Sequence, residues 1–169
     1  MLAKIIPMGP TMNILGCDLS LRSSGLVLLN PNNELLWSEL VKPDDKLRGM
    51  DRVVWLAGQY HLRLQTLKNQ FGPMDLVIED LAKGSRQTYT LVALCQGSTA
   101  FQMMAHLEGY RPILVSASHC RKWLTGNGHA DKLFVAQRIK IDYAIEFDKD
   151  PNHDLSDATL LALWGNRKK

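Results

Sequence analysis

Apolar runs separated by polar turns predict a small sheet at the start of the chain. Within residues 13–30 one apolar run ends at the carboxylate of Asp18, and a second run covers residues 26–29. The polar turn between them predicts a β-hairpin with an acid on its first strand. Residues 34–41 follow the turn-forming sequence NPNN and predict a third strand. We therefore expect a three-stranded antiparallel meander.

A different periodicity follows the meander. Apolar residues recur at steps of three and four over residues 50–71 and predict an amphipathic helix of about six turns, which Gly72-Pro73 ends. Residues 74–79, MDLVIE, predict a strand that ends in a second carboxylate, Glu79. Residues 87–108 predict a helix whose small residues allow close approach to a sheet.

The last third of the chain predicts one more strand and three helices. The strand is expected at residues 111–116, and Ser116 or Ser118 is expected to cap a short helix through Leu124. Helices are then predicted over residues 130–141 and from Asp154 to about Trp164. This order predicts an α/β protein with a mixed five-stranded sheet and helices on both faces. It is the order found in the ribonuclease H-like fold.

Length and composition predict one domain. The chain has 169 residues, of which 46% are hydrophobic, and we expect a single domain over residues 13–166 after a flexible leader at 1–12. No apolar run approaches the roughly 20 residues of a membrane span, so we expect no membrane partner and a cytoplasmic protein, in the host cell if a phage encodes it. The three cysteines have no metal-ligand spacing, and we expect them to be reduced and buried.

Charge is distributed unevenly along the chain. Residues 81–140 carry eight Lys or Arg against two acids, whereas residues 141–157 carry six acids and one Lys. This pattern fits a surface that holds a polyanion beside a site that holds cations. Ordinary solvated helix faces are the alternative explanation.

Four carboxylates form the candidate site. Asp18 and Glu79 end two strands that we expect to be neighbours, and Asp154 and Asp157 lie three residues apart on one helix face. Carboxylates brought together from three elements repel one another unless cations intervene, and Mg²⁺ prefers oxygen ligands. Two such ions about 4 Å apart support phosphodiester hydrolysis. The alternatives are that Asp18 caps its turn through Ser20 and Ser24, and that the two helix acids only complement the helix dipole.

Four stretches of the chain carry a resemblance to the RuvC family of Holliday junction resolvases. The resemblance covers residues 13–164. The most discriminating stretch is the Gly-x-Gly-x-Ala-acid-Lys pattern within TGNGHADKLFV. The other three stretches are ILGCDLSLRSSG, VIED and HDLSDATLLAL.

The resemblance implies a function and roles for named residues. It implies a homodimer that resolves four-way DNA junctions by paired symmetrical nicks, leaving 5′-phosphate and 3′-hydroxyl ends. Asp18, Glu79, Asp154 and Asp157 are then the ligands of two Mg²⁺ ions, for which Mn²⁺ substitutes, and Lys132 faces the scissile phosphate. The expected DNA-backbone contacts are Lys83, Arg86, Arg121, Lys122 and Arg138.

The sequence also departs from the family. Asp18-Leu19-Ser20 stands where the family has Asp-Pro-Gly, and no aromatic residue follows Glu79 within residues 80–84 to wedge at the junction centre. Such divergence suits a phage-encoded member.

Several alternatives stay open from the sequence alone. They are an RNA-processing nuclease of the YqgF type, activity on other branched DNA, and a non-catalytic junction-binding protein. A sugar-kinase-like or actin-like ATPase needs a duplicated domain, and the length of 169 residues argues against such a duplication. The helix at residues 50–71 or the following helix is expected to form the dimer contact. His153 is a candidate for assisting the chemistry of the acidic site. The sequence identifies no helicase partner.

Overall fold

The computed structural model describes residues 12–80 and 88–167, and this part of the chain contains five strands and five helices. The element order agrees with the sequence prediction. Residues 1–11 of the predicted leader lie outside the described residues. Lys83 and Arg86, two of the predicted DNA contacts, lie outside them as well. The strands are β1 Asn13–Asp18, β2 Ser24–Leu29, β3 Leu35–Val41, β4 Met74–Glu79 and β5 Ile113–Val115. The helices are α1 Gly49–Phe71, α2 Thr88–Leu107, α3 Ala117–Thr125, α4 Lys132–Tyr143 and α5 Asp154–Arg167.

The five strands form one mixed sheet in the order β3-β2-β1-β4-β5. β1 pairs antiparallel with β2 and parallel with β4, and β5 extends the parallel part beyond β4. β1 therefore lies at the centre of the sheet, between the meander and the parallel strands. The predicted α/β class and mixed five-stranded sheet are confirmed.

Alternate residues of the central strands enter two separate hydrophobic cores. Leu15 and Cys17 pack on one face with the buried residues of α1 and α2, among them Tyr60 and Phe101. Ile14 packs on the other face with α3, α4 and α5. Because side chains alternate across a strand, β1 contributes to both cores, and the predicted helices on both faces are confirmed.

The helix α5 lies unusually close to the sheet. A Cβ placed on Gly16 would lie 2.0 Å from the carbonyl oxygen of Ala158 and 2.6 Å from the amide nitrogen of Ala162. Only glycine fits there, because these are backbone atoms that no side-chain rotation can move. Small residues on both elements thus allow α5 to pack directly on β1.

Two expectations from the sequence are corrected. Cys17 and Cys120 are buried, but Cys95 is exposed on α2, so only two of the three cysteines belong to the cores. Met50 was expected on the buried face of α1, yet it is 65% exposed at the second residue of the helix. Within the described residues, no helix combines the length and hydrophobicity that crossing a bilayer requires.

Replacing Gly16 with alanine tests the close packing of α5. Gly16→Ala is expected to destabilise the fold by roughly 2–4 kcal/mol, because the added methyl group overlaps backbone atoms of α5. Gly58→Ala is the matched control, since nothing lies within 4 Å of a Cβ at that exposed position on α1. It is expected to be neutral or to stabilise by up to about 1 kcal/mol. Urea denaturation of both variants measures the difference, and equal stabilities would contradict the packing argument.

Candidate active site

The register of β1 and β4 brings the first two acids level. Cys17 pairs with Ile78 in the parallel ladder, so the next residues along, Asp18 and Glu79, end the two strands side by side. Asp18 lies two residues after Gly16 and shares its face of the sheet, the face that α5 covers. The predicted neighbourhood of the two strand-end acids is confirmed.

The turn after Asp18 is stabilised by its serines. The hydroxyl oxygen of Ser20 accepts hydrogen bonds from the amides of Arg22 and Ser23, at 3.1 and 3.0 Å. The hydroxyl oxygen of Ser24 accepts from the amide of Ser20 at 3.0 Å. The serines thus perform the capping that was the alternative role of Asp18.

Gly25 determines how α5 reaches Asp18. It is the β2 residue paired with Asp18, and a Cβ on it would lie 2.2 Å from the carbonyl oxygen of Asp154. Glycine at this position therefore lets the first residue of α5 lie directly against the hairpin. As a result, Asp154 and Asp157, one turn apart, begin α5 at the end of β1 where Asp18 lies.

Asp150 holds the start of α5, a role that the sequence analysis missed. One of its carboxylate oxygens accepts a hydrogen bond from the amide of Leu155 at 3.1 Å. The other accepts from the amide of Ser156 at 2.9 Å and from the hydroxyl of Ser156 at 2.8 Å. The first amides of a helix lack partners within the helix, so Asp150 satisfies them from the preceding turn. The sequence signal for this capping role was weak, because Asp150 lies four residues before the first residue of the helix. The positive φ of His153, 59°, turns the chain so that Asp150 reaches the helix start.

Two basic side chains reach the helix acids. The Nζ of Lys132 lies 2.7 Å from Oδ2 of Asp157 and 3.8 Å from Oδ1 of Asp154. It also donates a hydrogen bond to the carbonyl oxygen of Asn152 at 3.2 Å. Arg121 approaches Asp157 from α3, with 3.6 Å between Nη2 and Oδ1. Lys132 and Arg121, both predicted from the sequence, therefore lie at the acidic cluster.

The environment of the strand-end acids favours their neutral forms. Burial, followed by the charge of Asp157, raises the pKa of Asp18 from 3.8 to about 8, and Lys132 only partly opposes the shift. Burial and Asp157 also raise the pKa of Glu79, against the opposing charges of Arg121 and Lys132. Burial lowers the pKa of Lys132, but its hydrogen bond to Asp157 and the surrounding carboxylates raise it overall. The protein thus holds mutually repelling acids together at an energetic cost.

The donor set fits a hard divalent cation in its chemistry. Among the described residues, Lys132 and Arg121 are the basic side chains that compensate the four carboxylates of the cluster, which leaves an excess of negative charge when all four acids are ionised. In the part of the chain that the structure describes, no three Asp, Glu, His or Cys side chains are arranged at metal-ligand spacing. The ammonium group of Lys132 lies against two of the four acids. The predicted metal ligands stay a prediction.

Other predicted residues lie elsewhere. Lys122 is exposed on α3 and lines a neighbouring pocket. Arg138 forms an ion pair with Asp142 on its own helix, with 2.6 Å between Nη2 and Oδ2. The side chain of His153 lines a separate cavity of about 330 Å³. Its backbone carbonyl oxygen accepts a hydrogen bond from the amide of Asp157 at 2.9 Å. Of the five predicted DNA contacts, Arg121 is the one that the described structure places within reach of the acids.

The raised pKa of Asp18 predicts a pH-dependent stability without divalent cations. The folded protein binds this proton more tightly than the unfolded chain, so the contribution of Asp18 is full below about pH 4 and is lost as pH rises towards 8. Asp18→Asn removes the ionisation and is expected to be more stable than wild type at pH 8 in EDTA, by roughly 1–3 kcal/mol. The advantage shrinks at pH 5.

Thermal and urea denaturation across this pH range measure the effect. Asp148→Asn is the control, because Asp148 is exposed in the loop before α5. Loss of stability in Asp18→Asn at pH 8 would contradict the argument that the ionised carboxylate of Asp18 destabilises the folded protein.

Comparisons with known proteins relate this geometry to solved structures. Neither the scan of protein-family models nor the search of curated proteins finds a match. The chain is similar to T. thermophilus RuvC in complex with Holliday junction substrate, with a TM-score of 0.75, 23% identity, and coverage of 93% of this chain and 96% of that chain. It is similar to a second structure of Thermus thermophilus RuvC, with a TM-score of 0.68, 23% identity, and coverage of 90% and 92%.

A third solved structure is more distant. The yeast mitochondrial Holliday junction resolvase Ydc2 matches with a TM-score of 0.57 and 15% identity, over 96% of this chain and 80% of that chain. At these identities the likeness establishes the fold. The resemblance predicted from four short motifs is therefore confirmed in the architecture: the chain has the ribonuclease H-like fold of the RuvC Holliday junction resolvases.

Proposed function

We propose that the protein is a metal-dependent endonuclease that resolves four-way DNA junctions. The acidic cluster formed by β1, β4 and α5 carries the proposal, since these buried acids repel one another and fit a cation-dependent site. The fold adds support, because a solved structure with this fold is RuvC in complex with a Holliday junction substrate. Activity on structured RNA, and junction binding without cleavage, are the competing functions.

The carboxylates would hold the metal. Asp18, Glu79, Asp154 and Asp157 would provide oxygen ligands for two Mg²⁺ or Mn²⁺ ions, and Asp18 lies between Glu79 and the start of α5. When bound, such ions would supply Lewis-acid chemistry for phosphodiester hydrolysis. Cleavage then leaves a 5′-phosphate and a 3′-hydroxyl.

The basic residues at the cluster would act on the substrate. Lys132 lies 2.7 Å from Asp157, so its ammonium group is placed to stabilise negative charge on the scissile phosphate when cations bind the acids. Arg121, 3.6 Å from the same carboxylate, provides a second positive charge on the α3 side. Both ion pairs with Asp157 must rearrange when the site is loaded.

Two copies of the chain would act together. A four-way junction has near two-fold symmetry, so a two-fold dimer presents equivalent sites to equivalent strands. The exposed apolar residues of α1 and α2 support this assembly, because Met50 and Val54 on α1 and Val92 and Met103 on α2 line one apolar groove. Paired nicks in opposite strands follow from this symmetry.

A cleavage assay on a synthetic four-way junction tests the function. Wild type in Mg²⁺ is expected to produce paired symmetrical nicks with ligatable ends, and Asp154→Asn is expected to slow cleavage by roughly 100-fold or more, because it removes a metal-binding charge. Asp148→Asn, which removes an exposed acid outside the cluster, is the control and is expected to cleave as wild type does.

Each other outcome points to a different function. Tight junction binding without cleavage in Mg²⁺ or Mn²⁺ would identify a binding protein on a nuclease fold. Failure to bind junctions, together with cleavage of structured RNA, would identify an RNA nuclease. Equal activity of Asp154→Asn and wild type would place the chemistry outside the acidic cluster.

Removing the charge of Lys132 tests how cations enter the cluster. Lys132→Met is expected to bind Mg²⁺ or Mn²⁺ roughly 10-fold more tightly than wild type, because the ammonium group no longer repels the metal. Calorimetric titration and the metal-dependent rise in melting temperature both measure the change. Lys140→Met is the control, since Lys140 pairs with Glu146 near the other end of α4. Weaker metal binding by Lys132→Met would show that this lysine organises the acids rather than competing for them.

A further inference from the structure

The turn that follows Asp18 is held by hydroxyl groups on the face of the sheet opposite α5. Cys17 and Leu19, on either side of Asp18, belong to the core formed with α1 and α2. The amide of Ser20 donates to Oγ of Ser24 at 3.0 Å, and its carbonyl oxygen accepts the hydroxyl proton of Ser24 at 2.9 Å. The backbone two residues after Asp18 is therefore fixed at both of its polar groups by one serine.

Tyr60 on α1 completes the hydrogen bonding of that serine. The hydroxyl oxygens of Tyr60 and Ser24 lie 2.7 Å apart, and both residues are fully buried. A hydroxyl has one proton and two lone pairs, and Ser24 donates its proton to the carbonyl oxygen of Ser20. Tyr60 is therefore the donor in the bond to Ser24. Burial raises the pKa of Tyr60 above its usual value, so the phenol keeps the proton that it donates.

Helix α2 restricts both the tyrosine and the turn. The ring of Tyr60 packs edge-on against Phe101, with 5.3 Å between ring centroids and 71° between ring planes. Gly97 lies against the turn, since a Cβ at that position would be 3.4 Å from the carbonyl carbon of Ser20. These contacts restrict the orientation of the ring and leave Ser20 little room to move towards α2.

The position of Asp18 depends on this turn because the parallel ladder ends before it. The last pair between β1 and β4 joins Cys17 to Ile78, one residue before the carboxylate. Asp157 and Glu79 repel the ionised carboxylate of Asp18. A turn that could shift would let this carboxylate move away from the other acids, and small displacements of a catalytic group reduce a rate strongly.

We propose that Tyr60 is a positioning residue for Asp18, because its buried hydroxyl fixes, through Ser24, the turn that follows this carboxylate. The proposal rests on the proposed function for the reaction in which Asp18 takes part. It adds a residue on the opposite face of the sheet from α5 to those on which cleavage depends. Its effect falls on the geometry of the acids, so the rate of the chemical step changes and the affinity for the junction does not.

Replacing Tyr60 with phenylalanine removes the hydroxyl and keeps the ring. At saturating protein and Mg²⁺, Tyr60→Phe is expected to lower the single-turnover rate of junction cleavage about 5- to 20-fold, with the junction dissociation constant in EDTA within about two-fold of wild type. Tyr110→Phe is the matched control, since the hydroxyl of Tyr110 has no hydrogen-bond partner among the described residues. It is expected to cleave as wild type does. An unchanged rate in Tyr60→Phe, or a loss of junction affinity as large as the loss of rate, would overturn the proposal.

A second control separates positioning from stability. Ala105→Gly removes a buried methyl group from α2, about two turns beyond Gly97, and weakens the helix without touching the turn. Urea denaturation compares its stability with that of Tyr60→Phe. Ala105→Gly is expected to cleave as wild type does. If it cleaves as slowly as Tyr60→Phe, the rate follows stability and the positioning role is overturned.

A double-mutant cycle tests the route through Ser24. Ser24→Ala is expected to slow cleavage at least as much as Tyr60→Phe. Adding Tyr60→Phe to Ser24→Ala is expected to slow cleavage no further, because the two hydroxyls act as one unit. Effects of the two substitutions that multiply would show that Tyr60 acts independently of Ser24, and the proposed route would be wrong.

Amide hydrogen exchange tests the same network without any cleavage. In EDTA, the amide of Ser20 is expected to exchange about 10-fold faster in Tyr60→Phe than in wild type, and at the wild-type rate in Tyr110→Phe. Equal exchange rates in Tyr60→Phe and wild type would overturn the proposal. If the protein cleaves no junction but Tyr60→Phe shows the faster exchange, the proposed function alone fails, and the placement of the turn by Tyr60 is supported.

Discussion

The direct packing of α5 on the centre of the sheet is the constraint on which the rest of this structure depends. Gly16 and Gly25 remove the two side chains that would separate the helix from β1 and β2. The backbone contact that results places the first turn of α5 over the end of β1. The same contact fills one core with the apolar residues of α5, from Leu155 to Trp164. Fold and candidate site therefore depend on the same two glycines.

The acidic cluster lowers the stability of the fold when its carboxylates are ionised. Burial raises the pKa of Asp18 to about 8, and neighbouring carboxylates add to the effect. Lys132 and Arg121 offset part of this repulsion through Asp157. Strain of this kind is typical of sites organised for a charged ligand rather than for stability. The neighbouring pocket differs in charge, since the described residues that line it include Lys122 and the imidazoles of His119 and His129 but no carboxylate. Arg121 and Lys122 are consecutive on α3, so this helix contributes one basic side chain to the acidic cluster and one to the pocket.

Capping groups determine where the site elements begin. Ser20 and Ser24 close the hairpin turn, which leaves the carboxylate of Asp18 available to the cluster. Asp150 satisfies the first amides of α5, which leaves Asp154 and Asp157 available in the same way. In both elements a separate side chain stabilises the backbone, so the site acids are not needed as caps. Because Ser20 and Ser24 already accept the amides of the turn, the alternative role of Asp18 as a cap of that turn does not apply.

The sequence by itself determined the element order, the mixed sheet and the four acids, because these follow from local periodicity and from acids placed at strand and helix ends. It also placed Arg121 and Lys132 near those acids through short motifs that resemble a known family. Only the tertiary structure decided which basic residues reach the cluster, since Lys122 and Arg138 lie on the same two helices but point elsewhere. Periodicity indicates which face of a helix is buried, but it does not show which distant partner each polar side chain meets. The role of Asp150, the exposure of Cys95 and the reason for Gly25 likewise depend on contacts between residues distant in sequence or separated by an irregular turn, which local patterns do not encode.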